Sequence, residues 1–304
     1  MFDKLIDKLK NDTYITLETT PGHSATFQNT VDKIASLDIV SKLDGFTTTD
    51  NPLAKLKYNA ILAAIKLQTA FNKPALATMS MRDKNLLALQ SDILGANEFD
   101  VRSFLMVTGD PAKMSDQPNV KGVFEADSTM LLNIVKYFNA GIDYAGKQFS
   151  VPPKPIYPFA VSNAYSKNFK NIQKKMHKKI ENGAVGIITQ PVYNMENARI
   201  LLDSFNEAKS SFNDERSDAQ LILGLFPITR LKTAQFLASH VPGIHVPNEW
   251  IDRLFEANKI SEEEEYKVGF GLSQDLYKEI LKVHPKVHIM TANRFDIAKE
   301  LLES

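Results

Sequence analysis

The sequence contains no cysteine, and that one absence excludes disulfides, thiolate metal ligands, iron–sulfur ligation and a cysteine nucleophile together. It also suits a reducing cytoplasm. Neither charge is in excess: 36 Lys+Arg balance 36 Asp+Glu among 304 residues, so no field of one sign points to nucleic acid or an anionic membrane as the main partner. No apolar run reaches membrane-spanning length. The start, Met1-Phe2-Asp3-Lys4-Leu5-Ile6-Asp7-Lys8, is a charged amphipathic pattern without the apolar centre of a signal peptide. A cytoplasmic protein is expected, with no nucleic acid and no membrane among its partners. The G-x-G-x-x-G turn of a dinucleotide-binding open sheet is missing as well. The six histidines form no ligand-spaced cluster and no G-x-S-x-G elbow occurs, so neither a metal site nor a serine triad is expected.

What is present is a core-forming composition, 43% hydrophobic and 24% charged, written in a repeated grammar. Short apolar runs are each followed by a polar turn and a longer segment with helical spacing, the signature of successive strand–helix units in a parallel sheet. Strands are expected near Tyr14 to Glu18, Asp44 to Thr48, Ala75 to Met79, Phe104 to Val107, Ile156 to Val161, Val185 to Thr189, Leu221 to Leu225 and Val287 to Met290. About eight such units suit a closed barrel better than its competitor, an open doubly wound sheet. The expected fold is therefore α/β, a (β/α)8 TIM-type barrel, with residues 1–304 forming a single catalytic domain. Asn51 before Pro52 reads as a helix cap followed by a first-turn proline, Ser261 with Glu264 as a capping box, and Asp83 as the cap of the helix after it. Ile172, Met176 and Ile180 make one helical stripe that Asn182-Gly183 closes. Pro111 to Gly122 and Gly146 to Pro155 read as loops over the barrel mouth or rim.

In such a barrel the chemistry gathers where strands run out into their following loops. The stretch Leu105-Met-Val-Thr-Gly-Asp-Pro111 stops an apolar run at a carboxylate held between glycine and proline. Gly186-Ile-Ile-Thr-Gln-Pro-Val-Tyr193 repeats the pattern with Gln190 in place of the acid. The full strand-end set is Glu18, Thr49 with Asp50, Ser80 with Arg82 and Asp83, Asp110, Asn163, Gln190, Thr229 and Asn293 with Arg294. Carboxyls, amides, guanidinium groups and hydroxyls suit proton donation and hydrogen bonding to a planar heterocycle, with the electron chemistry left to a bound organic cofactor.

Further motifs extend this set in order along the chain. They are Asp44-Gly-Phe-Thr-Thr-Thr-Asp-Asn-Pro52, Ser80-Met-Arg-Asp83 with Leu89-Gln-Ser-Asp-Ile-Leu-Gly-Ala96, Thr108-Gly-Asp-Pro111, Asn139-Ala-Gly-Ile-Asp143 and Gly183-Ala-Val-Gly-Ile-Ile-Thr-Gln-Pro-Val-Tyr193. Gly224-Leu-Phe-Pro-Ile228, Val241-Pro-Gly-Ile-His-Val-Pro247 and His288-Ile-Met-Thr-Ala-Asn-Arg294 follow. Together they resemble the successive motifs of methylenetetrahydrofolate reductase over nearly the whole chain. The resemblance implies an eight-stranded barrel that binds FAD at the C-terminal ends of its strands. It implies ping-pong reduction of 5,10-methylenetetrahydrofolate to 5-methyltetrahydrofolate, with NADH or NADPH as co-substrate, feeding methionine biosynthesis. A homo-oligomer is implied as well.

Residue by residue, the resemblance makes Glu18 the general acid that protonates folate N10, a task that needs a raised pKa. Asp110 lies beside the flavin pyrimidine edge, where its charge tunes the cofactor and favours the cationic folate intermediate. Gln190 bonds the pterin ring through an amide that both donates and accepts. Thr49 and Tyr157 touch the flavin or its ribityl chain, Thr108 and Gly109 flank the cofactor with Asp110, and Lys179 approaches the FAD phosphates. Arg294 contacts folate or nucleotide. The chain also departs from the family pattern. Thr78 stands where many members carry a histidine beside the flavin, and Leu237, by spacing from Phe226-Pro227, stands where an aromatic stacks on substrate. Glu18-Thr-Thr-Pro-Gly22 replaces an aromatic, double-proline context. Two other readings stay open: a flavin-binding paralogue with a different electron donor or a partner protein, and a non-catalytic folate- or nucleotide-binding barrel.

Overall fold

Eight parallel strands close into one barrel in chain order, with β8 returning to pair with β1. The computed structural model describes residues 1–241 and 243–304; position 242, inside the 241–247 motif, lies outside the described residues. The strands are β1 (Tyr14–Thr19), β2 (Gly45–Thr48), β3 (Ala75–Ser80), β4 (Ser103–Val107), β5 (Tyr157–Ser162), β6 (Gly186–Pro191), β7 (Gln220–Leu225) and β8 (Lys286–Ile289). All eight expected strands form, displaced by at most two residues at either end. Ahead of β1 runs α1 (Phe2–Asn11). The strands are then joined through α2 (Gln28–Ala35), α3 (Ala60–Phe71), α4 (Leu86–Glu98), α5 (Ser128–Asn139), α6 (Phe169–Glu181) and α7 (Met195–Lys209). Between β7 and β8 lie α8 (Leu231–His240), α9 (Asn248–Ile260) and α10 (Glu262–Val283), and α11 (Phe295–Leu302) follows β8.

Side chains alternate across each strand, so one parity fills the barrel and the other meets the helices. The inward parity near the N-terminal end is apolar: Tyr14, Leu76, Leu105, Phe159, Ile188 and Ile222 share one cluster with Phe2, Leu5, Ile6 and Leu9 of α1. The spacing of those four α1 residues puts them on one face, and the helix plugs the barrel floor. The outward parity packs on the helices in a second, larger cluster that includes Leu17, Phe46, Phe104, Ile187 and Val287. Higher in the barrel the inward parity turns polar on four neighbouring strands: Thr16 and Glu18 on β1, Thr47 on β2 with Thr49 just past it, Thr78 and Ser80 on β3, and His288 on β8. That change of character marks the mouth.

Local signals fare unevenly. Ser261 caps α10 as expected, its Oγ accepting from the Glu264 amide at 3.0 Å, and Ile172, Met176 and Ile180 are the buried stripe of α6. Asn51 does not cap an α-helix. It takes φ 43° ahead of a single 3₁₀ turn, Pro52–Ala54, and α3 starts later under Asn59, whose side chain accepts from the Leu62 amide. Asp83 likewise leaves the cap of α4 to Asn85, because Arg82 claims its carboxylate. The loop from Pro111 leaves the top of β4, whereas Gly146 to Pro155 leads into β5 at the floor. Among the described residues no helix is long and apolar enough to cross a membrane.

Leu9 is 1% exposed at the centre of the plug. Leu9→Ala is expected to destabilise the fold by about 2–5 kcal/mol, the usual range for emptying such a site. Urea unfolding would show a lower midpoint at unchanged slope, and a midpoint that does not move would mean that α1 does not seal the floor.

Candidate active site at the barrel mouth

Glu18 sits one residue before the end of β1, on the inward parity, with a side chain that keeps 23% exposure through the mouth. Across the β1–β8 seam its Oε2 lies 4.0 Å from Nε2 of His288, whose side chain is 2% exposed. Two hydroxyls hold that ring: Thr16 Oγ1 is 2.8 Å from Nδ1 and Thr47 Oγ1 is 3.4 Å from Nε2. Burial pushes the Glu18 carboxyl up to about 7 and the His288 imidazole down to about 3. Both shifts follow from taking a charged form out of water, and they leave the pair neutral around pH 6. A protonated carboxyl beside an imidazole that refuses the proton is a poised acid.

Between β2 and β4 the rim is closed by Arg82, which is 1% exposed. Its guanidinium donates through Nε and Nη2 to the two oxygens of Asp83, both at 2.6 Å, and through Nη2 to the Asn51 carbonyl at 2.9 Å. Burial opposes ionisation of Asp83, but the guanidinium outweighs it and holds the carboxyl below its ordinary value. Asp50 accepts from the Ser80 amide at 3.1 Å and is pushed up by burial. Asp110 accepts at Oδ2 from the Leu53 amide at 2.7 Å, which fixes the acid after β4 against the loop after β2. Gly109, at φ 93°, allows the turn, and a Cβ there would fall 2.2 Å from Ser80 Oγ. The Thr108 hydroxyl accepts from the Ser128 amide at the start of α5 at 3.3 Å.

On the β5–β6 side, Gln190 lines a cavity of about 250 Å³ together with Ser162, Asn163, Lys175 and Lys179. Neither Glu18 nor Asp110 lines it. Lys179 reaches in from α6 and donates to the Val161 carbonyl; burial first, and then the charge of Lys175, bring its amine down to about 8. The segment after α8 folds over this side. The Gly243 carbonyl accepts from the amides of Ala164 and Tyr165 at 3.0 and 2.9 Å, and Tyr165 stacks on His245 with centroids 4.7 Å apart. Gly243 is needed there, because a Cβ would fall 2.5 Å from Gln190 Oε1. Among the described residues, Thr49 Oγ1, Gln190 Oε1 and Thr291 Oγ1 are buried around the mouth without a protein partner. Such orphans are uncommon in a finished core and mark a place for a ligand.

Two expected site residues, Tyr157 and Leu237, are placed away from the mouth chemistry, and a third, Arg294, stands where expected but in an ion pair. Tyr157 is the first residue of β5. Its hydroxyl donates to Asp3 of α1 and Arg102 lies 6.0 Å from its ring, so it belongs to the barrel floor, at the opposite end from Glu18. It borders a cleft of about 630 Å³ at that end with Ile6, Lys136, Val185 and Arg216. Leu237 is buried in the core on α8 and offers no stacking surface, while its exposed neighbour Phe236 stacks on His240 at 5.3 Å. Arg294 does follow β8, but its guanidinium is paired with Asp296 at 2.6 Å. Thr78 stays on the inward parity of β3.

A family model described as methylenetetrahydrofolate reductase matches residues 2–304. The chain belongs to that family. Among solved structures it is similar to an uncharacterised protein from Clostridium thermocellum that binds two copies of 5-methyl-5,6,7,8-tetrahydrofolic acid. The identity is 14%, the TM-score 0.60, and the match covers 98% of this chain and 97% of that one. It is also similar to DmoA from Hyphomicrobium sulfonivorans, at 8% identity and TM-score 0.56, covering 96% of this chain and 86% of that one. At these identities the two structures speak for the barrel alone. No curated protein matches the sequence.

Reading the strand ends misses His288, Thr16 and Thr47, which this reductase-family barrel places around its acid. Their signal is parity: polar residues two apart on strands that should be apolar on both faces. The neutral pair has a measurable consequence. Between about pH 4.5 and 7 the folded chain binds a proton at Glu18 that the unfolded chain has lost, so this group's contribution falls as pH rises through about 7. His288 acts in the opposite sense, its contribution being lost as pH falls from about 6.5 through about 3. Glu18→Gln should therefore gain on the native chain by ~3 kcal/mol between pH 4 and pH 8 in denaturant unfolding, on the scale of 1.36 kcal/mol per pKa unit. A stability difference that is flat over this range would mean that the carboxyl is not perturbed.

Proposed function

We propose that the chain reduces 5,10-methylenetetrahydrofolate to 5-methyltetrahydrofolate, with FAD as the bound hydride carrier and NADH or NADPH as the reductant. Membership of the family supports the folate-reductase class. The observation that carries the chemistry is the buried Glu18 carboxyl, still protonated near neutrality and open to the mouth through a minor part of its surface. A barrel of the same fold holds 5-methyl-5,6,7,8-tetrahydrofolic acid, the product named here.

The donor set fits a flavin. Thr49 and Thr291 offer unpartnered hydroxyls around the mouth, which suit the carbonyls and ring nitrogens of an isoalloxazine. Lys179 and Lys175 line a small polar cavity beside them and suit a diphosphate. When bound, a flavin takes a hydride from the nicotinamide and yields it to the one-carbon unit of the folate.

The remaining chemistry belongs to the chain. Glu18 gives its proton to N10 of the folate, which opens the five-membered ring to an iminium that accepts hydride. His288 stays neutral and does not take that proton first. Asp110, held at the rim by the Leu53 amide, is the carboxylate that would favour a cation developing on the folate. Gln190, with its Oε1 unpartnered, is the amide for the pterin edge.

Glu18→Gln keeps the shape and loses the proton. It should slow folate reduction by about 10²–10⁴-fold, the span of general acid catalysis, while bleaching of the bound flavin by NADH or NADPH stays within about twofold. Stopped-flow absorbance separates the two half-reactions, and equal loss in both would reject the assigned role. In the native chain the folate half-reaction should fall as pH rises through about 7, where the acid form is lost. Lys179→Ala should weaken FAD binding about tenfold, corresponding to ~1.4 kcal/mol. Equilibrium dialysis would reject the phosphate contact if retention were unchanged.

A further inference from the structure

The β1–β8 ladder stops just before the acid. Its register pairs Tyr14 with Lys286, Ile15 with Val287, Thr16 with His288 and Leu17 with Ile289, and there β8 ends. β1 continues with β2 alone, Glu18 opposite Thr47 and Thr19 opposite Thr48. On the other flank the Met290 amide donates to the Leu225 carbonyl at 2.8 Å and continues the β7–β8 ladder, so this stretch stays with β7 where its pairing with β1 has ended. Just past Glu18, β1 has therefore lost its neighbour on the β8 side, and the backbone polar groups there need other partners.

Asn293 supplies them. Its Oδ1 accepts from the Thr20 amide at 2.9 Å and its Nδ2 donates to the Thr20 carbonyl at 2.7 Å. One planar side chain thus reproduces both bonds of a ladder rung. The chain reaches this geometry through two successive left-handed residues, Ala292 at φ 49° and Asn293 at φ 65°. Asparagine tolerates that region and alanine does not, so the turn is held by its surroundings rather than by local preference.

Resting on the reading of Glu18 as the proton donor, we infer that Asn293 is a positioning residue. By pinning Thr20 across the open seam it fixes the end of β1, and with it the depth and direction of the Glu18 carboxyl above His288. Around that carboxyl, His288 is the titratable group facing it from β8, while Thr47 of β2 and Thr16 of β1 present hydroxyls. Burial is the cause of the Glu18 shift, with no charged side chain behind it, so a strand end that loosens and admits water lowers it directly.

The test uses Asn293→Gly, which keeps the left-handed turn and removes both bonds. In full-length chain with ¹³C-labelled glutamate carboxyls, the Glu18 resonance is assigned by its loss in Glu18→Gln and titrated by NMR. The midpoint is expected to move down by about one pH unit from its native position. The pH profile of the folate half-reaction should move with it, its rate falling about tenfold, while flavin reduction stays within about twofold. A folded variant with an unmoved midpoint and a lowered melting temperature would overturn the assignment and leave Asn293 a structural rung. If the glycine variant does not fold, Asn293→Ser, too short to meet both groups of Thr20, gives the same reading. A native chain that reduces no folate, with a midpoint that still moves in the variant, would keep the positioning and reject the reductase.

Discussion

Everything at the mouth depends on a carboxyl that has no cation to pair with. Inside a parallel barrel both faces of a strand are normally apolar, and an ionised acid placed there pays a large desolvation cost unless a positive group answers it. Glu18 has only His288, at 4.0 Å, and the same burial that protonates the acid deprotonates the imidazole. The two shifts are one effect seen on two groups of opposite charge type. Thr16 and Thr47 make the arrangement tolerable by satisfying the ring without charging it. A lysine or arginine at their positions would ionise Glu18 and remove the acid.

Other parts of the rim follow a different rule. Between β2 and β4 a full charge is buried where it is answered: Arg82 is 1% exposed and lies across Asp83 and the Asn51 carbonyl. That lock ties the loops after β2 and β3 together, and the Leu53 amide holds Asp110, after β4, against them. On the β5–β6 side, lysines gather without an acid in the same cavity. The mouth is therefore graded, with a neutral acid at the β1–β8 seam, a closed ionic lattice next to it, and a basic, amide-lined recess across the barrel. On the proposed reading Lys175 and Lys179 would hold the anionic tail of a bound flavin, and Glu18 would serve the reacting end of the mouth.

The barrel was legible because parallel strands covered on both sides leave short unbroken apolar runs, and eight of them recur at strand–helix spacing. Glu18, Asp110 and Gln190 were legible as strand endings, since the turn chemistry after each strand interrupts the apolar pattern. His288 was not, because it stands mid-strand, where a lone histidine looks like core until its register with Thr16 and Thr47 is known. Tyr157 was misplaced by trusting a resemblance over position: a residue that opens β5 must lie at the floor whatever its ring could do. Leu237 shows the same limit, since spacing from a proline does not say which face of α8 a side chain occupies. Asn51 before Pro52 carries a cap signal, yet Asn51 sits in a left-handed turn with its carbonyl bound by Arg82.

Because the Glu18 shift comes from burial rather than from a charge, it depends on how wet the mouth is. A desolvation shift on a carboxyl without a charged partner deepens as water leaves. On the proposed reading, a folate lying over the seam removes the water that the 23% exposed carboxyl still meets, so binding holds the proton more firmly on Glu18 until N10 offers a better place for it. Departure of product lets water back and relaxes the group toward its resting state. The acid is thus armed by its own substrate, and the rung that Asn293 builds on Thr20 is what keeps the carboxyl at the depth where that works.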